Sequence, residues 1–358
     1  MLDAQLSEWL DAQAQALDQG QCDPQQVLAR LADAQVLRVG IDPAQGGSGG
    51  DLTDALEIMA SVASHSLAAA FVCWGQRAFI EYLLHSPNAG LRQRLLPSLL
   101  SGELAGATGL SNAMKFLSGI EALQVKAQEQ EQDHGWCLNG RLHWVTNLRK
   151  SGFVVAAAIE REEGGAPFIL AIPDALPGLQ RSDDLQLMGL QSSNTAALEL
   201  SQVAVARDWL LHEDARTFLP AVRPAFLGLQ CALAIGLARR ALSEVEQHVE
   251  GARSILQEPL QEQRQHLEQT VDELKSGLLD GRFLGQPGAL FRVRIALAEA
   301  TANAVQLELQ ASGGKAYLNE FGSGFARRWR ESAFVPIVTP SLVQLRAELQ
   351  RQARNAAA

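Results

Sequence analysis

The chain has 358 residues, 47% hydrophobic and 20% charged, with a net charge of −10. That length predicts two or three structural units with a large buried core. The acidic balance excludes a binder that tracks nucleic-acid phosphates, which needs a basic stripe, and the composition excludes disordered and collagen-like chains.

Residues 1–105 read as a helical domain. "LSEWLDAQAQAL", "PQQVLARLADAQVL", "LTDALEIMASVASHSLAAAFVCW" and "GLRQRLLPSLLSG" carry apolar residues at helical spacing. "QGGSGG" lies between the second and third. It lacks the last glycine of G-x-G-x-x-G, no strand precedes it and no Gly-Lys-Ser/Thr follows, so it reads as a turn between helices. The polar, acidic N-terminal segment does not read as a signal peptide.

Residues 106–212 read as a middle antiparallel β domain. "LQVKAQEQEQDHGWCLNGRLHWVTN" alternates, and its Asn139-Gly140 pair predicts a hairpin turn. "GFVVAAAIE" and "PFILAIP" read as buried strands, and "AALELSQVAVA" alternates. Residues 213–358 return to the helical period in three long segments and a last helix after Pro340, a C-terminal four-helix bundle. Gly251 and Gly313-Gly314 stand where helix ends are expected. The apolar stretch "AFLGLQCALAIGLA" reads as too short for a membrane span. The class is α+β, mostly α.

Few motifs carry chemistry. The seven histidines and four cysteines form no metal-ligand spacing, and the scattered cysteines, with no CxxC, suit a cytoplasmic protein. G-x-S-x-G is absent. In "RLHWVTN", Trp144 and Thr146 are two apart and share a strand face. By itself that suits equally a Trp that caps a sheet and an aromatic plane with a hydroxyl donor for a flat heteroaromatic ligand. In "MGLQSSNTAALELSQVAV", Ser193 and Thr195 read as exposed turn hydroxyls. In "LQASGGKAYL", Gln310 precedes Gly313 and Gly314 by one helical turn, an ordinary helix end or a place of close backbone approach. Arg327, Arg328 and Arg330 read as a solvated helix end, with a single small phosphate as the other possibility.

Taken in order, these segments resemble the acyl-CoA dehydrogenase superfamily over nearly the whole chain. "LRVGIDPAQGGSGGDLTDALEIMASVA" resembles its helix–PE-x-x-GG-x-G–helix entry. "LRQRLLPSLLSGELAGATGLS" resembles the helix that leads into its first β segment. "LNGRLHWVTN" is similar to l-x-G-x-K-x-W-I-T-N, "MGLQSSNTAALELSQVAV" to l-G-x-R-x-S-x-T-x-x-l-x-F-x-x-V-x-V, and "QASGGKAY" to Q-x-x-GG-x-G-Y. The resemblance implies a helical domain, a β domain and a four-helix bundle, with FAD between the last two and partly held by a second subunit of a homodimer or homotetramer. By position, Trp144 and Thr146 would contact the isoalloxazine ring. Ser111 and Asn112 would line its pyrimidine side, and Ser118 would meet the pyrophosphate. Arg253, Gln310, Gly313 and Gly314 would serve the FAD of the partner subunit, Arg253 through charge-assisted hydrogen bonds.

The departures concern cofactor grip and catalysis. Gln191 replaces the Arg of R-x-S-x-T, Ala316 the third glycine of GG-x-G-Y, and "RSILQEP" the motif R-x-x-F-G-x-P. "IVTPSLVQLR" aligns with I-Y-E-G-T-x-x-I-x-R, so Thr339 stands at the family's catalytic glutamate and Pro340 at its glycine. Ser254 occupies the alternative glutamate position. Removing a thioester α-proton needs a carboxylate within reach, and losing a general base costs ~10²–10⁴-fold in rate. The resemblance therefore implies an FAD-dependent oxidoreductase acting on an acyl thioester or similar acyl substrate, with an electron acceptor or flavin reductase as partner. A reduced-flavin monooxygenase, which needs no such base, and a flavin-binding subunit without turnover are the alternatives.

Overall fold

The computed structural model describes residues 2–117, 121–130 and 135–357. Five helices open the chain: α1 (Ala4–Gln19), α2 (Gln25–Asp33), α3 (Leu52–His65), α4 (Leu67–His85) and α5 (Ala89–Leu100). Asp51 starts α3 with a capping box, its Oδ1 accepting from the Asp54 N–H at 3.4 Å while Asp54 Oδ2 accepts from the Asp51 N–H at 2.9 Å. The stretch read as one helix breaks at Ser66, which ends α3 and caps α4 through its hydroxyl. Every residue of α4 from Leu67 to Leu83 is buried, so this helix lies at the centre of the molecule.

Eight strands follow among the described residues: β1 (Ala105–Thr108), β2 (Val125–Gln130), β3 (Gly135–Val145), β4 (Phe153–Arg161), β5 (Phe168–Pro173), β6 (Leu179–Arg181), β7 (Ala196–Ala206) and β8 (Leu210–His212). A short helix, α6 (Ser111–Leu117), follows β1. The sheet order is β6-β7-β3-β2-β4-β5-β8, with β1 paired to β4. The sheet is mixed, not antiparallel throughout: β1 and β2 each pair with β4 in parallel.

Asn139-Gly140 is also not a turn. It lies inside β3, where the register against β7 shifts between Leu138 and Gly140. Gly140 has φ +140°, and a Cβ there would stand 2.1 Å from the Gln124 carbonyl oxygen. The Asn139 side chain accepts the Gln202 N–H at 2.9 Å, satisfying a donor that the bulge displaces. Asn-Gly supplies the same backbone freedom to a bulge as to a hairpin, and the longer pairing decides.

The last region holds α7 (Ala215–Glu246), α8 (Gln257–Leu279), α9 (Arg282–Gly285), α10 (Pro287–Ser312), α11 (Ser323–Phe334) and α12 (Leu342–Ala357). The apolar stretch expected to be too short for a membrane span belongs to α7. That 32-residue helix passes a length-and-composition test for crossing a membrane, and most of its apolar window is buried inside the protein. Pro220 and Pro224 lie within α7, where Phe218, Leu219, Val222 and Phe226 are buried.

Glu57 ties α3 to this bundle, accepting from Arg239 Nη1 at 2.7 Å and pairing with Lys275 Nζ at 2.6 Å. Burial works to raise its pKa, yet the hydrogen bonds from Arg239 and Lys275 hold it below the usual glutamate value. A depressed folded-state pKa stabilises above the unfolded value, about 4.3, and that contribution fades as pH falls through the folded value. Glu57→Gln should therefore flatten the acid limb of urea midpoint against pH, below about pH 4.5. An unchanged acid limb would show that the pairs form equally in the unfolded chain.

Candidate active site

A cleft of about 370 Å³ opens where α4, the end of β3, the loop before β7 and the α11–α12 connection meet. Its floor is aromatic. Phe71 and Trp74, one turn apart on α4, stack with ring centroids 5.5 Å apart, and Phe334 meets Phe71 edge-on at 4.7 Å. The Trp74 indole N–H donates to the Phe226 carbonyl at 3.1 Å, which fixes its ring.

The sheet supplies the second wall. Trp144 is 62% exposed, whereas Thr146 is 5% exposed, and both line the cleft as a shared strand face requires. The Thr146 and Thr195 hydroxyls lie 3.3 Å apart, and Ser193 Oγ is 2.8 Å from Thr195 Oγ1. Ser193 and Thr195 are therefore buried in a hydroxyl chain, not exposed on a turn. Asn147, the last residue of "WVTN", does not reach the cleft. Its backbone is left-handed at φ +59°, and its amide donates to Gln76 Oε1 and the Gly106 carbonyl, both at 2.9 Å. It locks the end of β3 onto α4.

Leu187, Met188, Gly189 and Leu190 form the third wall. Gln191 staples that loop: its side chain accepts the Leu187 N–H and donates to the Leu185 carbonyl, both at 2.8 Å. The position read as a lost arginine thus shapes the cleft from behind.

The fourth wall runs from Arg330 to Thr339. Helix α11 ends at Phe334, and the Thr339-Pro340 peptide is cis. Buried Arg294 holds this loop, with Nη2 donating to the Val335 carbonyl at 2.7 Å and Nε to Gln230 Oε1 at 3.2 Å. Gln230 Nε2 donates to the Thr339 carbonyl at 3.0 Å. Burial pushes the Arg294 pKa down, and its Nη1 has no hydrogen-bond partner among the described residues. Among the described residues lining the cleft, Arg330 is the only ionisable side chain. Thr339 lines the cleft, and none of the described lining residues is a carboxylate.

The arginines read as solvated are mostly buried. Arg327 pairs with Glu331 at 2.7 Å and Arg328 with Glu308 at 2.5 Å; each of these two arginines is 5% exposed. Glu331 also accepts the Leu67 N–H at 3.2 Å, capping α4. Burial pushes its pKa up, against the Arg327 charge.

The other expected site residues lie elsewhere. Asn112 lines a second cavity of about 160 Å³ that shares Trp144 with the cleft. Its amide nitrogen is already bonded to Glu121 Oε2 at 3.2 Å and to the Ala122 carbonyl at 2.9 Å. Ser111 opens α6, and Ser118 lies outside the described residues. Arg253 and Gly313 come together at one end of the bundle. A Cβ on Gly313 would stand 2.9 Å from Arg253 Nη2, and φ +62° with ψ −150° is a conformation essentially reserved for glycine. Arg253, Ser254, Gln310 and Gly314 are exposed there, beside exposed Ile255, Tyr317, Leu318 and Phe321. The sequence reading missed Phe71, Trp74 and Arg330 as cleft residues, because each sits in an ordinary helical pattern.

Residues 2–103 match the model of the acyl-CoA dehydrogenase N-terminal domain. Mitochondrial isovaleryl-CoA dehydrogenase of Pongo abelii is 26% identical over 220 residues, covering 58% of this chain and 51% of that protein. The Bacillus subtilis (strain 168) protein named probable acyl-CoA dehydrogenase YngJ is 25% identical over 332 residues, covering 86% of this chain and 85% of its own. The matched segment spans 51% to 63% of the length of the first four curated relatives. Among solved structures, a glutaryl-coenzyme A dehydrogenase in complex with glutaryl-CoA superposes with a TM-score of 0.84 at 18% identity. It covers 98% of this chain and 93% of that one, a likeness of fold.

Proposed function

The chain belongs to the acyl-CoA dehydrogenase superfamily, and from that premise we propose that it is an FAD-dependent oxidoreductase acting on an acyl thioester or a similar acyl substrate. One observation carries the reading: Trp144 and Thr146 stand together on the cleft that Thr339 also lines, and by the sequence resemblance Thr339 falls at the family's base position. The cleft suits a flat, largely apolar heteroaromatic ring. Three large apolar side chains on it, Trp144, Met188 and Ile337, are 62%, 71% and 67% exposed, and a bound ring would cover them. FAD, when bound, would supply the acceptor for a hydride. Trp144 offers the ring plane, and the Thr146 hydroxyl offers a hydrogen bond at its edge, held in place by Thr195 and Ser193. Phe71, Trp74 and Phe334 exclude water from the substrate side.

Thr339 cannot take an α-proton, since its hydroxyl is far too weak a base at neutral pH. Arg330, always protonated, cannot either. This favours a second reading, reduced-flavin-dependent oxygenation of the substrate, which requires no α-proton base. Arg253, Gln310 and the glycine pair would act on the FAD of a second subunit, and the exposed apolar side chains beside Arg253 support a homodimer or homotetramer.

Purified protein is expected to be yellow, with about one FAD per chain by analogy with the family. Arg253→Ala should speed FAD loss in dialysis with little change in the melting midpoint, because an exposed side chain is removed and no core volume. Colourless protein that takes up no FAD would overturn the flavin reading. With flavin bound, anaerobic bleaching by acyl-CoA esters separates dehydrogenation from the second reading, which is recognised by oxygen incorporation when reduced flavin and O₂ are supplied.

A further inference from the structure

Arg330 faces the cleft, and the proposed chemistry gives it no role. Its Nε and Nη2 donate to Asp18 Oδ2 at 3.1 and 2.6 Å. Asp18 is 1% exposed, and its Oδ1 accepts the Leu190 N–H at 2.9 Å. Gly189 lies against the pair: a Cβ there would stand 2.7 Å from Asp18 Oδ1 and 3.5 Å from Arg330 Cβ. One edge of the guanidinium is thereby fixed to the wall of the cleft. Nη1 donates to no group among the described residues.

Arg327 and Arg328, on the same helix, have 6% side-chain exposure each; Arg330 has 25%. The rest of the described lining is apolar, hydroxyl or backbone, so no carboxylate among those residues competes for the free edge. A guanidinium edge presents parallel N–H groups that match the two oxygens of a carboxylate. In an apolar surround such a charge-assisted bond is stronger than in water, and a group unable to accept it leaves Nη1 without a partner.

We infer that Arg330 is a specificity-determining residue whose free edge receives a carboxylate carried at the far end of the substrate's acyl group. The inference rests on the acyl-substrate reading and deepens it.

The test is calorimetric titration of the flavin-containing full chain with succinyl-CoA and butyryl-CoA, which share every CoA phosphate and differ in the terminal group. Wild type should bind succinyl-CoA at least about tenfold more tightly, the lower end of a hydrogen bond to a charged group. Arg330→Gln alone would strand buried Asp18, so the variant to use is Asp18→Asn with Arg330→Gln, which removes both charges and keeps an acceptor for the Leu190 N–H. That variant should lose the preference and keep its affinity for butyryl-CoA. Equal affinities in wild type, or a preference that survives in the variant, would overturn the assignment.

If neither thioester binds, the CoA-ester reading fails, and Arg330 is then judged with 3-phenylpropanoate and its amide. Preference for the acid in wild type and not in the variant sustains the carboxylate site. Equal binding of acid and amide, or binding of neither, overturns it.

Discussion

Glu308→Ala should destabilise the protein by about 3–5 kcal/mol, the cost of stranding one member of a buried ion pair. Arg328 donates from Nε and Nη2 to both Glu308 oxygens, at 2.5–3.2 Å, with Glu308 1% exposed. Burial works against the Arg328 charge, and the bonds to Glu308 more than offset it, so its pKa is raised. Without Glu308 the guanidinium keeps no hydrogen-bonded carboxylate among the described residues: Glu244 is 3.8 Å away, beyond hydrogen-bond reach, and Glu331 acts only through its charge. The Arg328–Glu308 pair joins α10 to α11, the helix that carries Arg330 and leads into the Thr339 loop. The readout is the urea midpoint of the flavin-containing protein. Glu308→Leu with Arg328→Met, an apolar pair of similar volume, should recover most of the stability, since such replacements are often neutral. A loss under about 1 kcal/mol for Glu308→Ala, the scale of a surface pair, would mean that Arg328 reaches water.

The same arginines mark what the sequence conceals. "ARRWRE" has the polarity of a solvated turn, and nothing local tells that Glu308 and Asp18, 20 and 312 residues away in the chain, fold onto it. The helix–sheet–helix order, by contrast, is written in the switch between period 3.6 and period 2, so the fold class was legible. So was the pairing of Trp144 with Thr146, which follows from strand alternation alone. Asn139-Gly140 misled because one dipeptide serves two backbone features, and pairing across β7 chose between them. Phe71 and Trp74 were illegible for another reason. An all-buried helix carries no polar face against which a ligand-facing aromatic could stand out. The amide nitrogen of Asn112 is committed to Glu121 and Ala122, contacts that its motif position gives no sign of.

Thr339→Glu together with Pro340→Gly should raise the rate of flavin reduction by saturated acyl-CoA esters by about 10²–10⁴-fold over wild type, the usual contribution of a positioned general base. Thr339 already lines the cleft, and Gln230 and Arg294 fix its loop from behind, so a carboxylate placed there starts from an anchored backbone. Pro340 holds the residue before it in extended angles and can misdirect a longer side chain, which is why Thr339→Glu alone should gain less. The apolar aromatic wall disfavours the ionised carboxylate, while Arg330, the cation on the same cleft, favours it. Either way the base works only when ionised, so the reduction rate of the double variant should rise with pH through the pKa of the new carboxylate, and that of wild type should not. Anaerobic stopped-flow at about 450 nm reads both. Fast bleaching of wild-type flavin by these esters would mean that a base outside the described lining reaches the substrate. A double variant that binds the esters and stays oxidised at every pH would mean that this loop does not face the acyl α-carbon, and the oxygenation reading would then be the one that the empty base position supports.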